Sequence, residues 1–266
     1  MLKLVILIIY FAVLIGIGLY CRKHATDVNG FVLGGRSVGP WLTAFAYGTS
    51  YFSAVVFVGY AGQFGWKYGI AATWAGIGNA IIGSLLAWVV LGRRTRIMSQ
   101  HLDSATMPQY FGKRFGSNPL KIGASVIIFI FLIPYTASLY NGLSRLFGMA
   151  FNIDYSVCII IMATLTAIYV IAGGYMATAI NDFIQGIIML FGIIAVIAAV
   201  IHSKGGFMSA LQGLANVSDP AVSNTPGIFA SFFGPDPFNL LCVVILTSLG
   251  TWGLPQMVQK LSLIHI

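Results

Sequence analysis

The sequence predicts an all-α integral membrane protein, and three observations carry that expectation. Of 266 residues, 58% are apolar and only 8% are charged. The mean hydropathy is +0.91. The few charges are so placed that long uncharged stretches lie between them. A soluble domain carries about 25% charged residues, so an ordinary globular protein is excluded. Disorder needs low hydrophobicity and abundant charge, and is excluded on the same ground.

A helix needs about 20 apolar residues to cross roughly 30 Å of hydrocarbon. The charge gaps place candidate helices at about 4–21, 38–66, 68–92, 122–148, 155–175, 182–203 and 237–260. The first is expected to be a retained helix rather than a signal peptide. Its apolar run, Leu4 to Leu19, is long for a signal, and no small-residue cleavage site follows. Between the sixth and seventh spans, Gln212, Asn216, Ser218, Ser223, Asn224, Pro226 and Pro235 predict a long polar-to-amphipathic loop. The cysteines, Cys21, Cys158 and Cys242, lie far apart in apolar context and read as small core hydrophobes.

The 14 Lys and Arg residues and the net charge of +8 form no dense patch of the kind nucleic acid needs. They do set an orientation. Arg22, Lys23, Arg36, Arg93, Arg94, Arg96, Lys113, Arg114, Lys121 and Lys260 fall on one side of the predicted spans; Lys3, Lys67, Arg145 and Lys204 fall on the other. The positive-inside bias puts the larger set in the cytoplasm and the N-terminus outside.

Two spans are interrupted. In the second, Gly48-Thr49-Ser50-Tyr51-Phe52-Ser53 gathers hydroxyl side chains and a glycine at mid-span. Unsatisfied backbone at that depth costs several kcal/mol, so irregular chain survives where it lines a cavity or holds an ion. Secondary transporters use such breaks to free carbonyls for a cation. The competing reading is a continuous helix whose Ser and Thr bond back to the preceding turn. In the seventh span, Gly250, Gly253 and Pro255 are expected to unwind the helix around Thr247 and Thr251. The fourth span carries Pro134 followed by Tyr135, Thr136 and Ser138, which predicts a kink. Asp182 borders two spans with no loop between them. It reads either as a first-turn carboxylate favoured by the helix dipole or as an acid guiding a cation through a water-filled vestibule.

Other groupings carry less. Gly30–Arg36 is glycine-rich but lacks the Gly-Lys-Ser/Thr of a phosphate loop. His101 and Asp103 have too few partners for a metal. No Ser-His-Asp or Cys-His arrangement presents itself, so the chain is not read as an enzyme.

Four ordered stretches resemble the sodium:solute symporter family. They are Phe31-Val32-Leu33-Gly34-Gly35-Arg36-Ser37-Val38-Gly39-Pro40 leading into Gly48–Ser53; Met107-Pro108-Gln109-Tyr110-Phe111-Gly112-Lys113-Arg114-Phe115; Gly173-Gly174-Tyr175-Met176-Ala177-Thr178 running to Asp182 and Gln185; and Gly253-Leu254-Pro255-Gln256-Met257-Val258. The resemblance implies a LeuT-type inverted-repeat core. The first span would precede it, spans two to six would form the first five-helix repeat, and span seven would open the second. Family chains are about twice as long, so residues 1–260 are expected to be a partial symporter domain. Leu261-Ser262-Leu263-Ile264-His265-Ile266 matches the translation of a sequencing-library adapter and is expected to be a non-native tail.

The resemblance also implies sodium-coupled import of a small organic solute by alternating access across a bacterial plasma membrane, with Na+ as coupling ion and no cofactor. The backbone carbonyls of Thr49 and Phe52 match half of the family's sodium site, and Asp182 joins them on the cation path. Ser53, Tyr135 and Thr251 match positions that face substrate, and Tyr51 and Thr247 complete the candidate set. Tyr51 stands where proline-transporting members carry an aspartate; Thr247 and Thr251 replace a Trp and a Tyr. The solute stays open among amino acids such as proline, sugars, vitamins and carboxylates. Ser50, about 100° per residue around a helix from Ser53's direction, is expected to matter less. The alternative is a transport-deficient membrane sensor on the same fold.

Overall fold

The computed structural model describes residues 2–24, 27–34, 38–51 and 60–261. Among them the structure is helical, with a single antiparallel bridge between Asp219 and Ser223. Three helical stretches are long and apolar enough to cross a membrane: Ala61–His101, Asn118–Phe151 and Tyr155–Ser203. A fourth candidate is broken at Leu254, between Pro237–Gly253 and Pro255–Leu261. The chain divides into two units, Met1–Val55 with Val90–Gly186 and Pro255–Ile266, and Val56–Val89 with Ile187–Leu254.

In the first unit, α1 (Leu2–Cys21) is followed by the short α2 (Val28–Leu33) and by α3 (Pro40–Tyr51). The Asp27 carboxylate opens α2 by accepting from the Gly30 amide at 3.1 Å, as an N-cap does. Leu33 and Val38 are buried against Tyr175 and Ala179.

The basic segment 93–121 forms two more helices, α6 (Arg93–His101) and α7 (Met107–Phe115). Thr106 caps α7 by accepting from the Gln109 amide, and the Gln109 side chain reaches back to the Ala105 amide at 3.0 Å. This is close to a reciprocal capping box. The long α8 (Asn118–Phe151) starts at a Ser117 cap and ends at Asn152 in the left-handed region, φ 55°. Ile122, Phe129, Phe131 and Ile133 are exposed around it, which suits a hydrocarbon surrounding. Pro134 sits inside this helix without ending it, and the Ser138 hydroxyl donates to the Tyr135 carbonyl at 2.7 Å.

The next helix, α9 (Tyr155–Ser203), is two helices joined at Gly174, where φ is 56° and ψ is −148°. A side chain is disfavoured in that backbone conformation, and a Cβ there would also stand 2.8 Å from the Phe31 carbonyl oxygen of α2. This moves a predicted boundary. The sixth span was expected to begin at Asp182, but the second half of α9 begins at Tyr175, two turns earlier. Asp182 therefore lies outside the first turn, and the helix-dipole reading of it is withdrawn.

In the second unit, α4 (Ala61–Tyr68) ends at Gly69, φ 61°, where a side chain would collide with the Phe229 backbone. A short tight turn leads into α5 (Thr73–Gly78), which continues as wider π-helical turns over Asn79–Leu86 and Trp88–Gly92. The Trp74 indole donates to the Phe232 carbonyl at 3.0 Å and packs edge-on to the Phe232 ring. Part of the predicted loop is helical, as α10 (Phe207–Ala215), because Phe207, Leu211 and Leu214 recur at helical spacing. An Asp236 cap and Pro237 at the first position start α11 (Pro237–Gly250).

Beyond α11, Thr251–Gly253 tightens to a 3-10 turn and Leu254 is extended, φ −69° and ψ 128°. The chain resumes as α12 (Pro255–Leu261) in the first unit. Proline can start a helix there but cannot continue one. Leu261, first of the suspected tail, is buried at the end of α12; residues 262–266 lie outside the described residues.

Candidate functional site

The strongest concentration of chemistry in the first unit lies where α3, α9 and α12 meet. α3 packs on α9 through an edge-on pair, Phe45 and Phe183, with ring centroids 4.9 Å apart. One turn along α9, Gly186 allows the closest approach. A Cβ there would stand 2.6 Å from the Phe45 ring and 3.1 Å from the Thr49 methyl. This contact brings the Asp182 carboxylate against the C-terminal turns of α3. The Thr49 hydroxyl bonds back along α3, donating to the Phe45 carbonyl at 2.9 Å and lying 3.2 Å from that of Ala46.

The third component is Lys260. Gln259 anchors α12 by donating to the Val32 carbonyl of α2 at 2.7 Å, and Met257 and Leu261 are buried beside it. The Lys260 side chain, 9% exposed, then enters the α3–α9 contact. Its ammonium donates to the Ala46 carbonyl, to the Ser50 hydroxyl, and to Asp182 Oδ2 at 3.2 Å. An ammonium has three N–H donors, and each finds an oxygen here. Lysine is almost never buried unless paired, and this one is fully paired.

This corrects the sequence reading in two ways. Lys260 is not a loop charge after the last span, so it leaves the orientation count, and nine basic residues remain on that side against four. Ser50 is not a bystander to Ser53, since its hydroxyl holds the ammonium. The signal for the pair was present in the sequence. Asp182 and Lys260 are lone opposite charges at the edges of apolar stretches, and such residues are expected to have partners.

The remaining candidates divide by location. α3 is helical through Gly48, Thr49, Ser50 and Tyr51, so the interruption does not begin at Gly48. Tyr51 is buried, with its ring 6.2 Å from that of Tyr47. Phe52 and Ser53 lie outside the described residues. Tyr135 is half-buried on α8.

Thr247 and Thr251 belong to the second unit. There the Asn79 amide donates to the Thr247 hydroxyl at 3.1 Å and to the Ala75 carbonyl at 2.7 Å, tying α11 to the start of the π-helical segment. The Thr251 hydroxyl donates to the Ser248 carbonyl at 2.9 Å. Thr247 bonds back to the Val243 carbonyl at 2.9 Å.

Two further polar side chains belong to the neighbourhood. Asn181, 1% exposed, and Gln256, one helical turn before Lys260, have both amide ends buried with no hydrogen-bond partner among the described residues. A separate, mostly apolar cavity of about 380 Å³ lies among Ser99, Ala105, Met107, Phe129, Pro255 and Val258; it contains none of the predicted site residues.

Comparison with known proteins bears on both fold and site. The sodium:solute symporter family matches residues 31–263. The sodium/proline symporters of Staphylococcus aureus strains JH9 and JH1 are each 35% identical over 206 residues, covering 76% of this chain and 40% of theirs. The chain thus spans about two fifths of the length of the curated relatives it matches. The solved structure of a Na+-coupled sialic acid symporter, in a substrate-bound outward-open state, superposes with a TM-score of 0.67 at 16% identity. That superposition covers 99% of this chain and 60% of the other, and it shows a fold of the LeuT type.

Proposed function

The chain belongs to the sodium:solute symporter family, and we propose that it supplies the first repeat of a transporter that couples inward movement of Na+ to import of a small organic solute. Family members are symporters rather than enzymes, and the chain is a multi-pass membrane protein. The observation that carries the proposal is the oxygen cage at the end of α3. The Ala46 carbonyl, the Ser50 hydroxyl and the Asp182 carboxylate converge on one monovalent cation, the ammonium of Lys260. Oxygen donors of this kind suit a hard cation such as Na+.

In this reading Na+ is held by the Thr49 and Phe52 carbonyls and leaves past Asp182. Ser53, Tyr51, Tyr135, Thr247 and Thr251 face the solute. Sodium and solute each favour the same outward-facing state, so each raises the affinity for the other by the same factor. An amino acid such as proline is the solute class supported by the relatives' names; Tyr51, in place of a carboxylate, argues for a differently charged solute pocket.

The test is uptake by the full-length transporter in proteoliposomes with sodium or choline outside. Uptake is expected to require the sodium gradient. Asp182→Asn is expected to raise half-saturating sodium several-fold more than half-saturating solute. Equal uptake in choline, or an Asp182→Asn variant altered in solute affinity alone, overturns the assignment.

A further inference from the structure

We propose that Lys260 is a tethered cation that competes with Na+ for the Asp182 carboxylate and the α3 oxygens, so that cation entry requires the lysine to withdraw. The inference rests on the sodium-coupled reading above. The geometry points to it because the ammonium sits on all three oxygens of the cage at once, Asp182 among them, where the proposed cation path passes, in a setting where its side chain is 9% exposed and that of Asp182 is 26% exposed. The groups it meets on α3 are neutral, the Ala46 carbonyl and the Ser50 hydroxyl, and α9 offers the one carboxylate, Asp182. Two monovalent cations sharing a single buried carboxylate repel each other strongly, because little water screens them. Occupancy by lysine and by sodium therefore excludes one another.

The lysine is also mounted to move. It sits on a helix of seven residues whose N-terminal neighbour, Leu254, has extended backbone, and the Gln259 side chain ties α12 to the Val32 carbonyl of α2. Withdrawal of α12 takes the ammonium out of the cage without unfolding α3 or α9. A flexible four-carbon stem carrying a compact charge is suited to this exchange. A lysine serving only to pin three helices together predicts the opposite effects: its loss would loosen the fold and leave sodium affinity unchanged or weaker.

The experiment is equilibrium binding of radioactive Na+ to the purified full-length transporter, for wild type, Lys260→Gln, Lys260→Arg and the double variant Asp182→Asn/Lys260→Gln. Lys260→Gln is expected to lower half-saturating sodium by about tenfold, within the usual range of coupling between sites. Lys260→Arg, which keeps the charge, is expected to stay near wild type, and the double variant, which removes the carboxylate, to lose the gain.

A second measurement needs no variant. Sodium, but not choline, is expected to increase acylation of Lys260 by an amine-reactive reagent, read by mass spectrometry. Unchanged or weakened sodium binding in Lys260→Gln, or protection of Lys260 by sodium, overturns the proposal alone. Wild-type protein that binds no sodium overturns the coupling reading and this proposal with it.

Discussion

At the scale of single residues, the α3–α9–α12 junction is governed by the cost of burying charge. Asp182 and Lys260 are each tolerable because the other is present. Removing one partner of a buried pair leaves an uncompensated charge and typically costs about 3–5 kcal/mol, whereas replacing both with neutral groups is often close to neutral. Asp182→Asn is therefore expected to destabilise the purified protein by about 3 kcal/mol, and Asp182→Asn/Lys260→Gln by much less. Thermal or denaturant unfolding of the two variants and the wild type measures this; additive losses would show that the two side chains are not coupled.

Ser50 gives a second residue-scale prediction. A hydrogen bond to a charged group contributes about 1.5–3 kcal/mol, so Ser50→Ala is expected to cost that much. The control is Ser125→Ala, whose exposed hydroxyl bonds the Lys121 carbonyl at 2.9 Å. An exposed change of that kind stays within about 0.5 kcal/mol. Equal losses at the two serines would remove Ser50 from the cage.

Among the elements, glycine placement decides which helices approach closely. Gly186 and Gly192 lie on the same half of α9, yet a methyl group at Gly186 meets Phe45 and Thr49 while one at Gly192 meets nothing within 4 Å. Ala improves helix propensity by about 1 kcal/mol over Gly at either position. Gly192→Ala is therefore expected to be neutral or stabilising. Gly186→Ala is expected to be destabilising, because α3 must shift away from Asp182, and to raise half-saturating sodium as well. Gly174→Ala acts differently. Its cost is a positive-φ backbone, φ 56° and ψ −148°, that essentially only glycine adopts, on the order of 1–3 kcal/mol, together with the close Phe31 carbonyl. Melting temperatures of the three variants rank them; a Gly186→Ala protein as stable as Gly192→Ala would contradict the packing described.

For the whole molecule, the charge distribution carries the orientation. The basic segments 22–36 and 93–121 are expected in the cytoplasm, with the N-terminus outside, even with Lys260 removed from the count. Cysteines placed one at a time in these segments of the full-length transporter should resist an impermeant maleimide in intact cells and react after permeabilisation. Labelling of either segment in intact cells would reverse the topology.

What the sequence determined by itself was composition-driven: membrane embedding, a helical fold, the family motifs and the break around Gly250–Pro255, since each follows from local hydrophobicity or from backbone chemistry within a few residues. Asp182 was visible as a lone acid at the edge of an apolar run, but its surroundings were not. Its partner lies 78 positions away, and the hydroxyl and carbonyl that complete the cage belong to α3, more than 200 positions from Lys260. Which residues such distant segments present to one another depends on where α9 bends, at Gly174 rather than at Asp182, and on where Gly186 lets α3 settle. Those are consequences of packing, which no local pattern encodes. The tertiary structure alone therefore decided that the charge counted as a loop residue is a buried cation on the oxygens of α3.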